Sequence, residues 1–274
     1  MTDQNASDEQ EAGGGAMRSP RPSPWARPNP SDLTDASTHS TDVDQASPRT
    51  KEQAVNLAPA VIFFLVLMGA IQAIRSFLLP VPIDNEVLYW FAFVPEIASF
   101  GLLGLVHELW AAITYSLLHG GWAHYFMNAV WLAIFGSPLA MRIGFAPFVL
   151  FWVVTAFAAA AFHFAIDPYG YSILVGASGS ISGMMGAAAR LGFRIDRTGQ
   201  KKAFAGRPMT MREVVRSRTV LGFIMIWLLV NILTGLFVSV GESAIAWQAH
   251  IGGFVAGFLI LPFFPARLRR GPGI

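Results

Sequence analysis

Cysteine is missing from all 274 residues. Its absence excludes structural disulfides, thiolate zinc sites and a cysteine nucleophile, and leaves the redox compartment open. Charge is also scarce, with 13% Asp, Glu, Lys and Arg against 54% hydrophobic residues. Such a chain cannot be divided into an ordinary water-soluble core and surface, so its apolar mass needs lipid. The net charge of +2 and the basic pI are no sign of a nucleic-acid partner. The basic residues fall in short segments between apolar runs, where they report topology.

Large apolar residues are few only at the start. Residues 1–52 are rich in Ser, Pro, Asp, Gln, Gly and Thr, as in Ser19-Pro20-Arg21-Pro22-Ser23-Pro24, and the composition predicts a disordered tail. The first apolar run starts too late and continues too long for a cleavable secretory signal. Beyond the tail, six runs approach the roughly 20 residues a helix needs to span a bilayer: 54–79, 122–141, 145–166, 171–189, 219–239 and 246–266. They predict an all-α, six-span membrane domain over 53–270, followed by a short tail at 271–274. Another apolar stretch, 86–118, is interrupted by Pro95, Glu96, His107 and Glu108. It reads as a long loop with partly embedded amphipathic helices.

Charge sets the expected orientation. Arg49 and Lys51 precede span 1, Arg142 joins spans 2 and 3, Arg194 to Arg218 with Lys201 and Lys202 join spans 4 and 5, and Arg267, Arg269 and Arg270 close the chain. The alternate connections carry Asp84, Glu86, Glu96, Glu108, Asp167 and Glu242, with Arg75 the exception. By the positive-inside rule both termini are cytosolic and the even-numbered spans run from outside to inside.

Polar groups within spans are the first candidates for function, because hydrocarbon penalises them. Span 2 opens with His119-Gly120-Gly121-Trp122-Ala123-His124-Tyr125-Phe126-Met127-Asn128, span 4 holds Gly176-Ala177-Ser178-Gly179, and span 6 starts at Gln248-Ala249-His250-Ile251-Gly252-Gly253. Counting from the cytosolic arginine of each helix at about 1.5 Å per residue puts Ser178 roughly 18 Å up, Asn128 about 21 Å and His250 about 25 Å. The three sites share one layer in the outer half of the bilayer. Ser178, Ser182 and Gly186 repeat every four residues beside Gly179 and Gly183, and span 6 answers with Ala249, Gly253 and Gly257. Small faces of this kind let two membrane helices approach closely. His250 lies three residues from Gly253 and so shares that face.

A Ser178–His250 hydrogen bond is therefore sterically feasible, and the chemistry it permits is acyl transfer. Imidazole can take the hydroxyl proton and later deliver it to a leaving amine. The even-numbered spans hold no carboxylate to orient the ring, so the arrangement is a dyad. His124 and Asn128, four apart on one helical face, can offer N–H donors to a tetrahedral oxyanion.

The set His119-x4-His124-x3-Asn128, Gly176-Ala177-Ser178-Gly179 and Ala249-His250-x-Gly252-Gly253-x3-Gly257, in that order on spans 2, 4 and 6, resembles the signature of the rhomboid intramembrane serine proteases. The resemblance covers roughly 54–266. It implies a rhomboid-like six-helix bundle, Ser178 as nucleophile, His250 as general base, and His124, Asn128 and the Ser178 backbone N–H as the oxyanion site. It also implies transmembrane protein substrates and no metal or cofactor. The 86–118 loop resembles the family's long first loop. Two positions depart: Trp110-Ala111 stands where the family commonly has Trp-Arg, and Ser137-Pro138-Leu139-Ala140-Met141-Arg142 lacks the usual acidic residue.

The same residues allow blander readings. Taken singly, Gly-Ala-Ser-Gly is a common packing element, and His250 or the His124–Asn128 pair can be interhelical glue. Their conjunction favours function. The rival is a rhomboid-like pseudoprotease that holds membrane clients without cutting them, and a solute transporter is disfavoured by the lack of evident inverted repeats. His163 reads as a packed histidine and His119 as a loop-positioning one. Trp227 and Asn231 share a face of span 5 and read as helix packing or part of a mobile gate. His107-Glu108 lacks the second histidine of a zinc-protease motif. The basic stretch 194–218 reads as a cytosolic loop in contact with anionic lipid, and the expected location is the bacterial inner membrane.

Overall fold

The computed structural model describes residues 57–196, 202–237, 239–240, 243–244 and 246–267. The tails expected at 1–52 and 271–274 lie outside these residues, as do Arg49, Lys51, Lys201, Glu242, Arg269 and Arg270. Two units are distinguished, 1–51 and 52–274, and everything below concerns the second.

Helix α1 runs Pro59–Phe77. Proline suits the first position, where its missing N–H has no intrahelical partner to lose. Helix α2 (Val81–Phe91) and helix α3 (Gly101–Thr114) flank a 3-10 turn at Pro95–Ser99. They form the expected long loop and leave Trp90, Phe100, Leu102, Leu103 and Trp110 exposed, an apolar face suited to lipid. Inside the loop the buried Glu108 carboxylate accepts from the Val94 N–H at 3.0 Å and meets His107 Nδ1 at 3.0 Å. Burial pushes its carboxyl above the usual range. Arg75 also finds its explanation here, since its Nε donates to Asp84 at 2.7 Å and its Nη1 to the His119 carbonyl at 2.8 Å. A cation at the outer end of α1 is thus neutralised by the loop.

The second span is α4 (Trp122–Trp131), a π turn at Leu132–Gly136, and α5 (Ser137–Ile143). Pro138 has no N–H to donate one turn back, a local reason for the widened turn just before it. Gly144, at φ 92, ends the helix, and α6 follows at Phe145–Ile166. Helix α7 is Ser178–Arg190, α8 is Met211–Arg216, α9 is Arg218–Phe237, and α10 is Trp247–Ile260 with a 3-10 turn to Phe263.

Among the described residues four helices are long and apolar enough to cross a membrane: 59–77, 122–143, 145–166 and 218–235. Helix α10 with its turn is shorter, and the 13 residues of α7 reach only about 20 Å. The fourth run was expected to be helical from 171, but its first half is extended. Phe93 and Leu174 exchange backbone hydrogen bonds of 3.2 and 2.8 Å, and Gly176 turns the chain at φ 116. An apolar run of this length reads alike as helix or as buried extended chain.

Helix α7 is the centre of the bundle, with every residue from Gly179 to Ala189 buried. Its glycines permit that position. A Cβ on Gly253 would strike the Gly179 carbonyl oxygen, one on Gly257 the Gly183 carbonyl oxygen, and one on Gly186 the Phe254 carbonyl oxygen. The α7 and α10 backbones therefore touch along three turns, where dispersion and polar contacts take over from the hydrophobic effect. On the other side α6 packs through Ala159 and Thr155, while Ser180 Oγ donates to the Trp152 carbonyl at 3.1 Å. Trp152 stacks on Phe64 of α1 at 3.9 Å and 5°. The two departures from the family pattern sit in packed surroundings. Ala111 is fully buried, and Arg142 donates to the Phe204 carbonyl at 3.1 Å.

Candidate active site

Ser178 stands at a junction between extended chain and helix. The Gly176 N–H donates to the Tyr115 carbonyl at 3.0 Å, the chain turns at Gly176, and α7 begins at Ser178 with its first-turn N–H groups lacking intrahelical acceptors. His250 lies in the first turn of α10. Because α10 presses on α7 at Gly253 and Gly179, the two side chains meet: His250 Nε2 is 2.8 Å from Ser178 Oγ.

The other imidazole nitrogen has a partner as well. His250 Nδ1 is 2.8 Å from Oδ1 of Asn231 on α9, and Asn231 Nδ2 donates to the Trp227 carbonyl at 2.8 Å. That second bond orients the amide, since only the NH2 group can donate to a carbonyl. Oδ1 must then face His250, and Nδ1 must carry the ring proton to bond it. Nε2 is left with its lone pair toward the Ser178 hydroxyl. A directed chain results, from hydroxyl to imidazole to amide to backbone carbonyl.

His124 and Asn128 approach from α4. A Cβ built on Gly176 would stand 2.7 Å from His124 Nε2 and 3.5 Å from Asn128 Nδ2, so both side chains converge on the backbone two residues before Ser178. The Gly120 N–H donates to His124 Nδ1 at 3.4 Å, which places the ring proton on Nε2. Asn128 is buried and its Nδ2 has no acceptor among the described residues. Leaving a buried donor unmatched costs about 1–3 kcal/mol, a cost that an oxygen bound at this point would remove. The site presents two side-chain N–H groups and the start of a helix on one side, and a hydroxyl bonded to a neutral imidazole on the other. Such an array can add an alcohol to a carbonyl and hold the resulting oxyanion. Ser178, His124 and His250 are partly exposed, so the site is not sealed within the bundle.

Ser178, His250, His124 and Asn128 thus lie together, and Gly179, Gly183, Gly253 and Gly257 lie along the α7–α10 contact behind them. His119 is buried beside the cluster, with its ring edge-on to His124 and Tyr125 at 5.2 and 5.6 Å. Burial, followed by the neighbouring His124 and Arg75, lowers it to about 3, so it is neutral packing behind His124. His163 stands apart, 3.4 Å from Ser172 Oγ. Trp227 stacks on Phe254 at 4.3 Å, in keeping with packing. Asn231 was read from sequence only as packing or gate. Counting up from Arg218 would have placed it about 20 Å above the cytosolic end, level with the other polar groups. An amide in hydrocarbon at that level was the available signal.

The family model of the Rhomboid domain matches residues 106–267. YdcA of Bacillus subtilis (strain 168), a candidate rhomboid protease, is 26% identical over 207 residues, covering 75% of this chain and 88% of that protein. RHOMBOID-like protein 5 of Arabidopsis thaliana is 26% identical over 172 residues, 61% of this chain and 49% of that protein. RHOMBOID-like protein 6, mitochondrial, from the same plant is 29% identical over 156 residues, 56% of this chain and 43% of that protein. The chain spans about half or less of the length of the Arabidopsis relatives. The apolar helices together with the Rhomboid domain make this an integral membrane protein.

Proposed function

From the premise that this chain belongs to the rhomboid family, we propose that it is an intramembrane serine endopeptidase that cleaves transmembrane protein substrates. Family membership supports an intramembrane protease role. The observation that carries the finer reading is the 2.8 Å contact between Ser178 Oγ and His250 Nε2, with the ring tautomer that makes Nε2 the acceptor.

In this reading a substrate segment enters from the lipid and presents an unwound peptide carbonyl to Ser178. Oγ attacks the carbonyl carbon while its proton passes to His250 Nε2. Negative charge builds on the carbonyl oxygen and is met by His124 Nε2–H, Asn128 Nδ2–H and the Ser178 backbone N–H. His250 then protonates the leaving amine, and the C–N bond breaks to leave an acyl ester on Ser178. A water that loses its proton to the same nitrogen attacks that ester, and collapse of the second intermediate returns the proton to Ser178. The steps need no metal or cofactor, and the partners are transmembrane proteins and the lipid around them. The catalytic unit is the membrane domain of 53–270, with the tails at 1–52 and 271–274 as extensions. Arg142 and Arg267 lie together at one end, where the Arg267 N–H meets the Arg142 carbonyl, and Glu96 lies near Asp167 at the other, where its N–H meets the Gly170 carbonyl; this favours cytosolic termini, and the location in this reading is a bacterial inner membrane.

The test is labelling of the detergent-solubilised protein with a fluorophosphonate probe, alongside Ser178→Ala and His250→Ala, together with cleavage of a model transmembrane substrate in proteoliposomes. Labelling and cleavage by the native protein, both lost in the two variants, are expected. A folded native protein that neither labels nor cleaves would refute the protease reading and leave a client-binding pseudoprotease.

A further inference from the structure

The proposed dyad has a third member, supplied by a helix that no signature residue occupies. We infer that Asn231 is a positioning residue: its Oδ1 holds His250 in the Nδ1-protonated tautomer and so aims the Nε2 lone pair at Ser178. The inference rests on the protease reading above and adds to it the group that orients the base.

Each bond of the arrangement has a direction. The Trp227 carbonyl accepts from Asn231 Nδ2 at 2.8 Å, so Oδ1 is the face turned to the ring, and it lies 2.8 Å from His250 Nδ1. An imidazole acts as a base through Nε2 only when its proton is on Nδ1. With nothing at Nδ1 the two tautomers compete, and the ring is free to swing about its side-chain bonds. The task is the one a buried aspartate performs in Ser–His–Asp proteases and an asparagine in Cys–His–Asn proteases. A neutral amide suits a membrane interior better than a carboxylate, because an unpaired charge there is the more expensive group.

The source of the residue matters. Ser178 and His250 are fixed by the α7–α10 backbone contact. Asn231 rides on α9, the least enclosed of the four long helices, with 6% of its apolar window buried against 28–44% for the others. Besides the Asn231 bond, α9 rests on α10 through the Trp227–Phe254 stack. The imidazole is therefore oriented from a separately held helix, and it is oriented only while that helix is docked.

The experiment compares Asn231→Leu, which keeps the branched shape and loses the acceptor, with Asn231→Asp, which keeps an acceptor at the same place. Cleavage of a model transmembrane substrate in proteoliposomes gives kcat and KM, and fluorophosphonate labelling gives the reactivity of Ser178 without a substrate helix. The expected result for Asn231→Leu is a fall in kcat of about ten- to a hundredfold with KM unchanged, and an equal fall in labelling rate. Asn231→Asp is expected to restore most of both. Packing or gating alone would change KM, or cleavage without labelling, and would not be rescued by Asp. Either of those outcomes, or full activity in Asn231→Leu, overturns the inference while leaving the protease reading intact.

A readout independent of turnover uses 15N-histidine protein, in which the imidazole shifts report the protonated nitrogen. His250 is expected to be Nδ1-protonated in the native protein and mixed in Asn231→Leu. An unchanged tautomer would sink the inference even if the native protein proved inactive, whereas the loss of all native labelling and cleavage would count against the protease reading itself.

Discussion

Adding one methyl group at Gly253 tests whether the α7–α10 contact sets the geometry of the site. A Cβ there would overlap the Gly179 carbonyl oxygen, with the Gly179 carbonyl carbon at 2.8 Å. Both obstacles are backbone and cannot rotate away. An ordinary carbon–oxygen contact is about 3.3 Å, so the helices must separate by roughly 1 Å at this level. Gly253 is one turn from His250 and Gly179 is next to Ser178, so the opening is transmitted almost undiminished. The 2.8 Å Oγ–Nε2 contact then lengthens to about 3.8 Å, beyond hydrogen-bond range. Misplacement of about 1 Å costs on the order of a hundredfold in rate, and overpacking costs about 1–3 kcal/mol of stability. The assay is the fluorophosphonate labelling rate and the thermal midpoint of Gly253→Ala beside Gly222→Ala. Gly222 lies on α9 with nothing within 4 Å of its Cβ position, so its variant should keep the native labelling rate. Native labelling by Gly253→Ala, or equal losses in both, would refute the claim that backbone contact positions the pair.

Two further outcomes follow from the surroundings of the site. Asn128→Ala is expected to lower kcat by about a hundred- to a thousandfold with little loss in thermal midpoint, because the Nδ2 group it removes has no partner to strand; a matching loss of stability would make Asn128 structural. His119 is held near 3 against 6.5 for the free group, so protonation favours the unfolded state. Its contribution is complete above pH 6.5 and falls by up to about 1.4 kcal/mol per pH unit as the pH drops toward 3. His119→Gln should flatten the acid side of a plot of thermal midpoint against pH, and parallel curves for variant and native would remove His119 as the cause.

The features visible in the sequence were those set by local chemistry. Long apolar runs bounded by arginines located α1, α6 and α9 to within a few residues, and interruption by charge and proline marked 86–118 as a loop. The extended segment before Ser178 was hidden because it is as apolar as a helix, and its conformation depends on Phe93, some eighty residues earlier, and on one turn at Gly176. Depth counting brought Ser178, Asn128 and His250 to one layer, and spacing of small residues indicated which helices could touch. Asn231 escaped because the residue sought to orient the imidazole was a carboxylate. A neutral amide meets the same hydrogen-bonding requirement without the cost of a buried charge.

The contrast between the helices bears on how one fold could admit a substrate and still hold a reactive geometry. Helices α7 and α10 meet through backbone atoms, so their separation has no side-chain compliance and the Ser178–His250 distance is fixed by the main chain. Helix α9 meets α10 largely through side chains, with the Trp227–Phe254 stack, the Asn231–His250 hydrogen bond and Trp247 packed on Gly235, and most of its surface faces outward. A displacement of the outer half of α9 would break side-chain contacts with α10, whereas a displacement of α10 would separate the backbones at the centre of the bundle. The soft boundary of the site is therefore on the α9 side. Because Asn231 sits on that boundary, opening it would also release Nδ1 of His250. Under the proposed protease reading, a substrate segment arriving past α9 would meet an unaimed base, and the full geometry would return only when α9 closed behind it.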